Sequence, residues 1–187
     1  MIQNIKYKPI YIKQPPFRYC GQCQIKVITE FFLNQNTGKI SVNKKFVNYS
    51  PNLRSRRTGF IKPITMLEVF VWSWLDISKV DKSDYIFNIK KEIDEWHIIL
   101  MTIWHGYIND KKKFNVVSGV LLQHYISVRW YDDEWLYIYD SSVREDIWLN
   151  YDIGNLYISW KIFIKSYDFA ISKIILSIWS FDHKWSQ

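Results

Sequence analysis

Two runs of alternating apolar and polar residues, separated by a short acidic segment, constrain the fold of this chain more than any other feature. LLQHYISVRW and EWLYIYDS flank residues 131–133, which is the pattern of a β-hairpin. Folding the hairpin about the middle of that segment sets Ile126 against Ile138 and gives one aliphatic face. The same register predicts that His124 lies opposite Asp140, at a Cβ separation of about 5 Å.

The longest helical pattern precedes the hairpin by about a hundred residues. Positions Cys20, Cys23, Val27 and Phe31 share one helical face, and the pattern ends near Asn36 and the following glycine. The pattern therefore predicts a helix that begins at Cys20.

The other apolar patterns alternate between helix and strand. Helices are predicted over 63–77, which opens on a proline, and over 82–96. The continuous apolar run 97–104 is typical of a buried strand. A short helix over 160–170 and a strand over 171–179 complete the pattern. Helices mixed with antiparallel hairpins indicate the α+β class, with the N-terminal helix packed on an antiparallel β-sheet.

Length and composition favour one domain covering residues 1–187. Glycine and proline are scarce, which excludes collagen-like and low-complexity chains. No stretch of about 18 apolar residues lacks a charge, so no membrane span is expected, and the N-terminus lacks the apolar core of a cleavable signal. Two cysteines cannot build a disulfide framework. We expect a reducing compartment such as the cytoplasm, or export without a cleavable signal peptide.

The net charge of +7 is spread over small clusters rather than concentrated in one patch. We interpret these clusters as solvated loops, one of which, residues 54–57, could dock an acidic partner. No zinc-finger spacing or RNA-binding motif is present, so nucleic acid is not an expected partner. The clusters are Lys44-Lys45, Arg54/Arg56/Arg57 and Lys111-Lys113.

Four residues form a candidate site for nucleophilic catalysis. A cysteine at a helix N-terminus, such as Cys20, has a lowered thiol pKa because the helix end favours the thiolate. A cysteine nucleophile also needs a base that a third group orients, and His124 with Asp140 supplies that pair. The backbone N–H of Cys20 and the side chain of Gln14 could donate hydrogen bonds to a developing oxyanion.

These residues resemble a known family. Gln14, the segment RYCGQCQIKVITEFF and the segment QHYISVRWYDDEWLYIYD are similar to the papain-like cysteine peptidases that process double-glycine leaders of bacteriocins, and to their stand-alone relatives. That family has a Gln six residues before a Cys-Gly, and an Asp sixteen residues after its His, as here. One departure is that Ser-Ser follows Asp140, where the family usually has Pro.

The resemblance implies a papain-like fold and a Cys-His-Asp triad. It implies Cys20 as the nucleophile, His124 as the general base and then acid, Asp140 as the orienting group and Gln14 as the oxyanion donor. The implied reaction is cleavage of peptide bonds in a protein or peptide substrate, which could belong to a host or a competitor. No cofactor is expected. Because no transporter segment accompanies the motifs, we expect a stand-alone domain.

Three alternatives remain at this point. Papain-fold glutamine deamidase toxins and effectors carry a similar Cys/His/Asp order, often with a second Cys three residues on, as Cys23 is here. CGQC at a helix start is also the thioredoxin-type redox motif, and a non-catalytic binding module is the third class. A zinc site is less favoured, because no second cysteine pair is present. The remaining histidines, His97, His105 and His183, are interpreted as structural or solvated.

Overall fold

The secondary structure follows from the patterns described above. The computed structural model describes residues 20–37, 68, 70–71, 75–106, 123–142 and 155–180. In chain order its elements are α1 (Cys20–Thr37), β1 (Leu75–Lys79), α2 (Tyr85–Asp94), β2 (Ile98–Trp104), β3 (Gln123–Tyr131), β4 (Trp135–Tyr139), β5 (Asn155–Ser159), α3 (Trp160–Asp168) and β6 (Ile175–Ser180).

The strands form one six-stranded sheet in which every neighbouring pair is antiparallel. Their spatial order is β1-β6-β2-β3-β4-β5, so the hairpin β3-β4 lies beside β2 and is flanked by β5. Strand β2 is buried along its whole length. This explains its unbroken apolar sequence, because a strand covered on both faces has no solvent side on which to place polar residues.

Helices cover both faces of the sheet. Helix α1 packs on one face, where Ile28 and Phe32 form a core with Tyr125 and Tyr139 of the hairpin. Helices α2 and α3 cover the opposite face, where aliphatic side chains of all the central strands meet. Side chains alternate along each strand, so the hairpin contributes aromatic residues to one core and aliphatic residues to the other. In the described part of the chain, no helix is both long and apolar enough to span a membrane.

Most of the predicted elements are confirmed. Helix α1, helix α2, strand β2, the hairpin, helix α3 and strand β6 each lie where the patterns predicted them. The helix predicted over 63–77 is wrong at its end, because Leu75–Lys79 forms β1 and pairs with β6. Strand β5 was not predicted. The charged clusters at residues 44–45, 54–57 and 111–113 lie outside the described residues.

The predicted register of the hairpin is wrong by two residues. Val128, not Ile126, lies opposite Ile138, and a bulge follows Val128. The turn causes this shift, because it lies one residue later than predicted, at residues 132–134, where Asp132 Oδ1 accepts hydrogen bonds from the backbone N–H groups of Glu134 and Trp135. Moving a turn by one residue along the chain shifts the register by two. Before the bulge, a shift of two residues leaves each side chain on its predicted face. Beyond the bulge the shift is three residues, and Trp130 lies opposite Tyr137 and contacts its ring. His124 and Asp140 therefore still share a face, although they are not directly opposite.

Because of this packing, two isoleucines should contribute very unequally to the stability of the fold. We expect Ile126→Ala to lower the free energy of unfolding by about 2–5 kcal/mol, because Ile126 is fully buried under α2 and α3. Ile171→Ala is the matched control, since this side chain is 54% exposed, and it should cost less than about 1 kcal/mol. Urea unfolding measures both changes. Equal losses would contradict the packing described here.

Candidate active site

Three residues at the ends of their elements meet at one end of the sheet. Cys20 is the first residue of α1, His124 is the second residue of β3, and Asp140 directly follows β4. His124 pairs with Ile103, whose side chain belongs to the α2/α3 face, whereas α1 packs on the other face. Cys20 and His124 make contact at this end of the sheet, because Cys20 begins α1 and His124 lies next to the start of β3. All three side chains are buried.

The carboxylate of Asp140 holds His124 by its Nε2 atom. His124 Nε2 lies 2.7 Å from Asp140 Oδ1. The same oxygen accepts hydrogen bonds from the backbone N–H and the hydroxyl of Ser142, each at 2.7 Å. An ionised carboxylate only accepts hydrogen bonds, so Nε2 of His124 must carry a proton. The second nitrogen of the ring, Nδ1, is then the one that can exchange a proton with Cys20.

The surroundings of Cys20 lower the pKa of its thiol. Burial alone would raise its pKa, but the positive charge of His124 and a hydrogen bond with that ring outweigh burial and lower the pKa below its ordinary value. Hydrogen bonds with the backbone of Tyr125 and Gly21 act in the same direction. Backbone N–H groups at a helix start stabilise the charged sulfur in this way.

The pKa values of His124 and Asp140 shift in the directions that favour the charged form of each group. Burial would lower the pKa of His124, but Asp140 and the Cys20 thiolate raise it far above its ordinary value. Burial would raise the pKa of Asp140, but the two histidines beside it, His124 and His105, hold it well below the usual range. These directions favour a thiolate at Cys20 and an imidazolium at His124 beside the ionised carboxylate of Asp140.

The thiol pKa of the second cysteine, Cys23, shifts in the opposite direction. Cys23 lies one turn further along α1 and is buried. Burial and the negative charge of Cys20 raise the pKa of Cys23 to about 12. Both cysteines are free thiols. Because the thiolate is the reactive form of cysteine, these shifts favour reaction at Cys20 over Cys23 by a wide margin.

His105 lies inside this site, although it was interpreted from the sequence as a structural or solvated loop residue. Its Nε2 atom lies 2.7 Å from Asp140 Oδ2, and its ring centre is 4.5 Å from that of His124. The missing information was the β2-β3 register: Ile103 lies opposite His124, which brings the end of β2 to the same end of the sheet. Ser142 was missed because its contact depends on a turn after β4.

Gln24 is a further residue that sequence analysis did not single out. Its side chain is fully buried, and its Nε2 atom donates to the carbonyl of Tyr139 at 3.0 Å and to that of Tyr125 at 3.3 Å. Those two residues directly adjoin Asp140 and His124. Gln24 therefore ties α1, which carries Cys20, to both strands that carry the other two site residues.

The site also offers a compact set of metal ligands. The ligating atoms of His105, His124 and Asp140 lie within 4.8 Å of one another. Two imidazoles and a carboxylate suit several transition metals. The hydrogen bonds that Asp140 makes with His105 and His124 also explain why these atoms lie close together. Gln14, the fourth residue of the predicted site, lies outside the described residues.

Comparison with known proteins identifies the fold. No protein-family model and no curated protein matches the chain. Solved structures do match. One is a double-glycine-motif protease from an AMS/PCAT transporter, solved in complex with the leader peptide: it is 13% identical with a TM-score of 0.52, and the match covers 92% of this chain and 91% of that one.

Two other solved structures are also similar to this chain. The peptidase domain of Streptococcus ComA, a bifunctional ABC transporter involved in quorum sensing, is 14% identical with a TM-score of 0.54, covering 92% of this chain and 97% of that one. A protein from Bacillus anthracis described as a C39-like peptidase is 10% identical with a TM-score of 0.58, covering 93% and 96%. The chain therefore has the α+β, papain-like fold of the double-glycine leader peptidases, as its sequence motifs suggested.

Proposed function

We propose that this protein is a cysteine peptidase that cleaves peptide bonds with a Cys20-His124-Asp140 triad. The observation that carries the proposal is the buried chain of contacts from the Cys20 sulfur to the His124 ring and from that ring to Asp140, 2.7 Å away. A nucleophile, a base and a group that orients the base are the three parts that such catalysis needs. The likeness to solved peptidases supports the same class.

The proposed reaction begins with the thiolate. Cys20 Sγ attacks the carbonyl carbon of the scissile bond and forms a tetrahedral intermediate, whose oxyanion accepts hydrogen bonds from the Cys20 N–H and, as the family resemblance implies, from Gln14. His124 gives the proton on Nδ1 to the leaving amine, and the C–N bond breaks. His124 then takes a proton from water, which attacks the acyl-enzyme and releases the carboxylic acid together with the thiolate.

The proposed substrate is an extended peptide or a protein segment. One of the similar peptidases was solved with a leader peptide bound, which makes a peptide with a double-glycine sequence the natural first probe. Hydrolysis of a glutamine side chain would use the same attack and release ammonia instead of an amine. The products separate the two reactions, because only peptidase action creates new chain termini.

The two cysteines provide the first test. Cys20→Ala should abolish cleavage with little loss of stability, and Cys23→Ala should retain most of it, because only Cys20 has a stabilised thiolate. Mass spectrometry should follow a synthetic double-glycine peptide and candidate proteins of a host or competitor. New termini with the wild type and with Cys23→Ala are expected.

Other outcomes have definite meanings. An inactive Cys23 variant beside an active Cys20 variant would reverse the assignment. An intact substrate chain with an amide converted to an acid would replace peptidase by deamidase. A change confined to thiols and disulfides of the target would indicate redox chemistry by the CGQC motif.

The ion pair provides a second test that needs no substrate. Alkylation of Cys20 by iodoacetamide should stay fast in the wild type as the pH falls below the ordinary thiol pKa. In His124→Ala the stabilising charge is absent, so the apparent pKa of Cys20 should rise and alkylation near pH 6 should slow by about tenfold or more. Mass spectrometry of the Cys20 peptide gives the rate. Identical pH profiles would show that no ion pair exists.

Gln14 can be tested through the rate of the reaction itself. Gln14→Ala should lower kcat by about 10²–10³-fold, since a single oxyanion donor has that effect in other acyl-transfer enzymes. The iodoacetamide profile of Cys20 should not change, because Gln14 is proposed to act on the intermediate and not on the thiolate. A normal kcat would remove Gln14 from the site.

A further inference from the structure

The carboxylate of Asp140 contacts a second histidine, His105, which a Cys-His-Asp triad does not require. His105 is buried and directly follows β2, a strand that carries none of the triad residues. Its Nε2 atom is as close to Asp140 Oδ2 as the Nε2 atom of His124 is to Oδ1, at 2.7 Å each. A Cys-His-Asp mechanism uses only one of these contacts.

The hydrogen bonds of Asp140 show what the second histidine does. Oδ1 accepts from His124 and from both donors of Ser142, whereas His105 donates to Oδ2. The terminal torsion of an aspartate is soft, so contacts to one oxygen leave the plane of the carboxylate free to rock. A donor on each oxygen fixes that plane. It also satisfies a buried acceptor that would otherwise be costly to desolvate.

The position of His105 is itself well determined. Its Nε2 atom also lies 3.1 Å from the hydroxyl oxygen of Ser142, so the ring contacts two groups that follow β4. Gly106, the next residue, lies so close to the Trp104 indole that a Cβ atom there would come within 2.1 Å of it. The Trp104 indole is fully buried and has little room to move, so glycine is required directly after His105.

We propose that His105 is a positioning residue, which acts through Asp140 to hold the His124 ring in the orientation that contacts Cys20. This inference rests on the proposed function, because it assigns a role relative to the triad. It requires His105 to carry its proton on Nε2, since Asp140 can only accept. A small displacement of a catalytic ring can reduce a rate by about 100-fold, so the effect should be measurable.

The test compares two substitutions at one position. His105→Ala removes the donor, and should raise the apparent pKa of Cys20 in the iodoacetamide profile by less than His124→Ala does. On a cleaved peptide it should lower kcat by about 10- to 100-fold and leave KM nearly unchanged. His105→Gln keeps an N–H at the position of Nε2 and should restore most of the wild-type profile.

A matched control comes from another histidine–carboxylate pair. His97 Nδ1 lies 2.7 Å from Glu92 Oε2, and the imidazole stacks on Trp179. His97→Ala removes a comparable contact that involves none of the site residues. It should leave the pH profile of Cys20 unchanged even if it destabilises the fold. A shift equal to that of His105→Ala would mean that the profile reports general destabilisation, which would overturn the inference.

The remaining outcomes separate this inference from the proposed function. If His124→Ala shifts the profile and His105→Ala does not, the inference fails and the triad stands. If neither shifts it, the triad itself fails. In the intact wild type, the ¹⁵N spectrum should show the His105 proton on Nε2; a proton on Nδ1 alone would overturn the inference. Stoichiometric zinc in the wild type that is lost in His105→Ala would also overturn it, because His105 would then be a metal ligand.

Discussion

The contact between the Cys20 sulfur and the His124 ring is the interaction on which the rest of the site depends. Two charged groups buried together are stable only when each has partners, because removing a charge from water is costly. The backbone of Gly21 in α1 and of Tyr125 in β3 stabilises the thiolate, and Asp140 stabilises the imidazolium. Asp140 is itself surrounded by donors from His105 and Ser142. Each buried charge therefore has a defined partner.

The sheet brings these groups together from distant parts of the chain. Helix α1 and the hairpin are separated by about a hundred residues in sequence, yet they pack together in one core of the sheet. Gln24 joins α1 to the backbone beside His124 and Asp140, so the helix that carries the nucleophile is tied to the strands that carry its partners. A site built in this way is fixed by packing rather than by flexible loops.

The sequence predicts the local part of this arrangement well and the non-local part poorly. The helix that begins at Cys20 and the hairpin were predictable because their periodicity lies within one segment. The hairpin register was not, because the side chain of Asp132 holds the turn one residue later than alternation alone indicates. His105 and Gln24 were missed for a related reason. Their contacts depend on which strands become neighbours, and nothing in either segment encodes that.

The protonation state of His124 in the intact wild type tests the central claim most directly. In a ¹⁵N spectrum of the histidine rings, the account predicts that both nitrogens of His124 remain protonated above the ordinary histidine pKa, because Asp140 and the Cys20 thiolate raise its pKa. Replacing Cys20 with alanine should lower that pKa. A His124 ring that is neutral at pH 7, and unchanged by the replacement, would contradict the account.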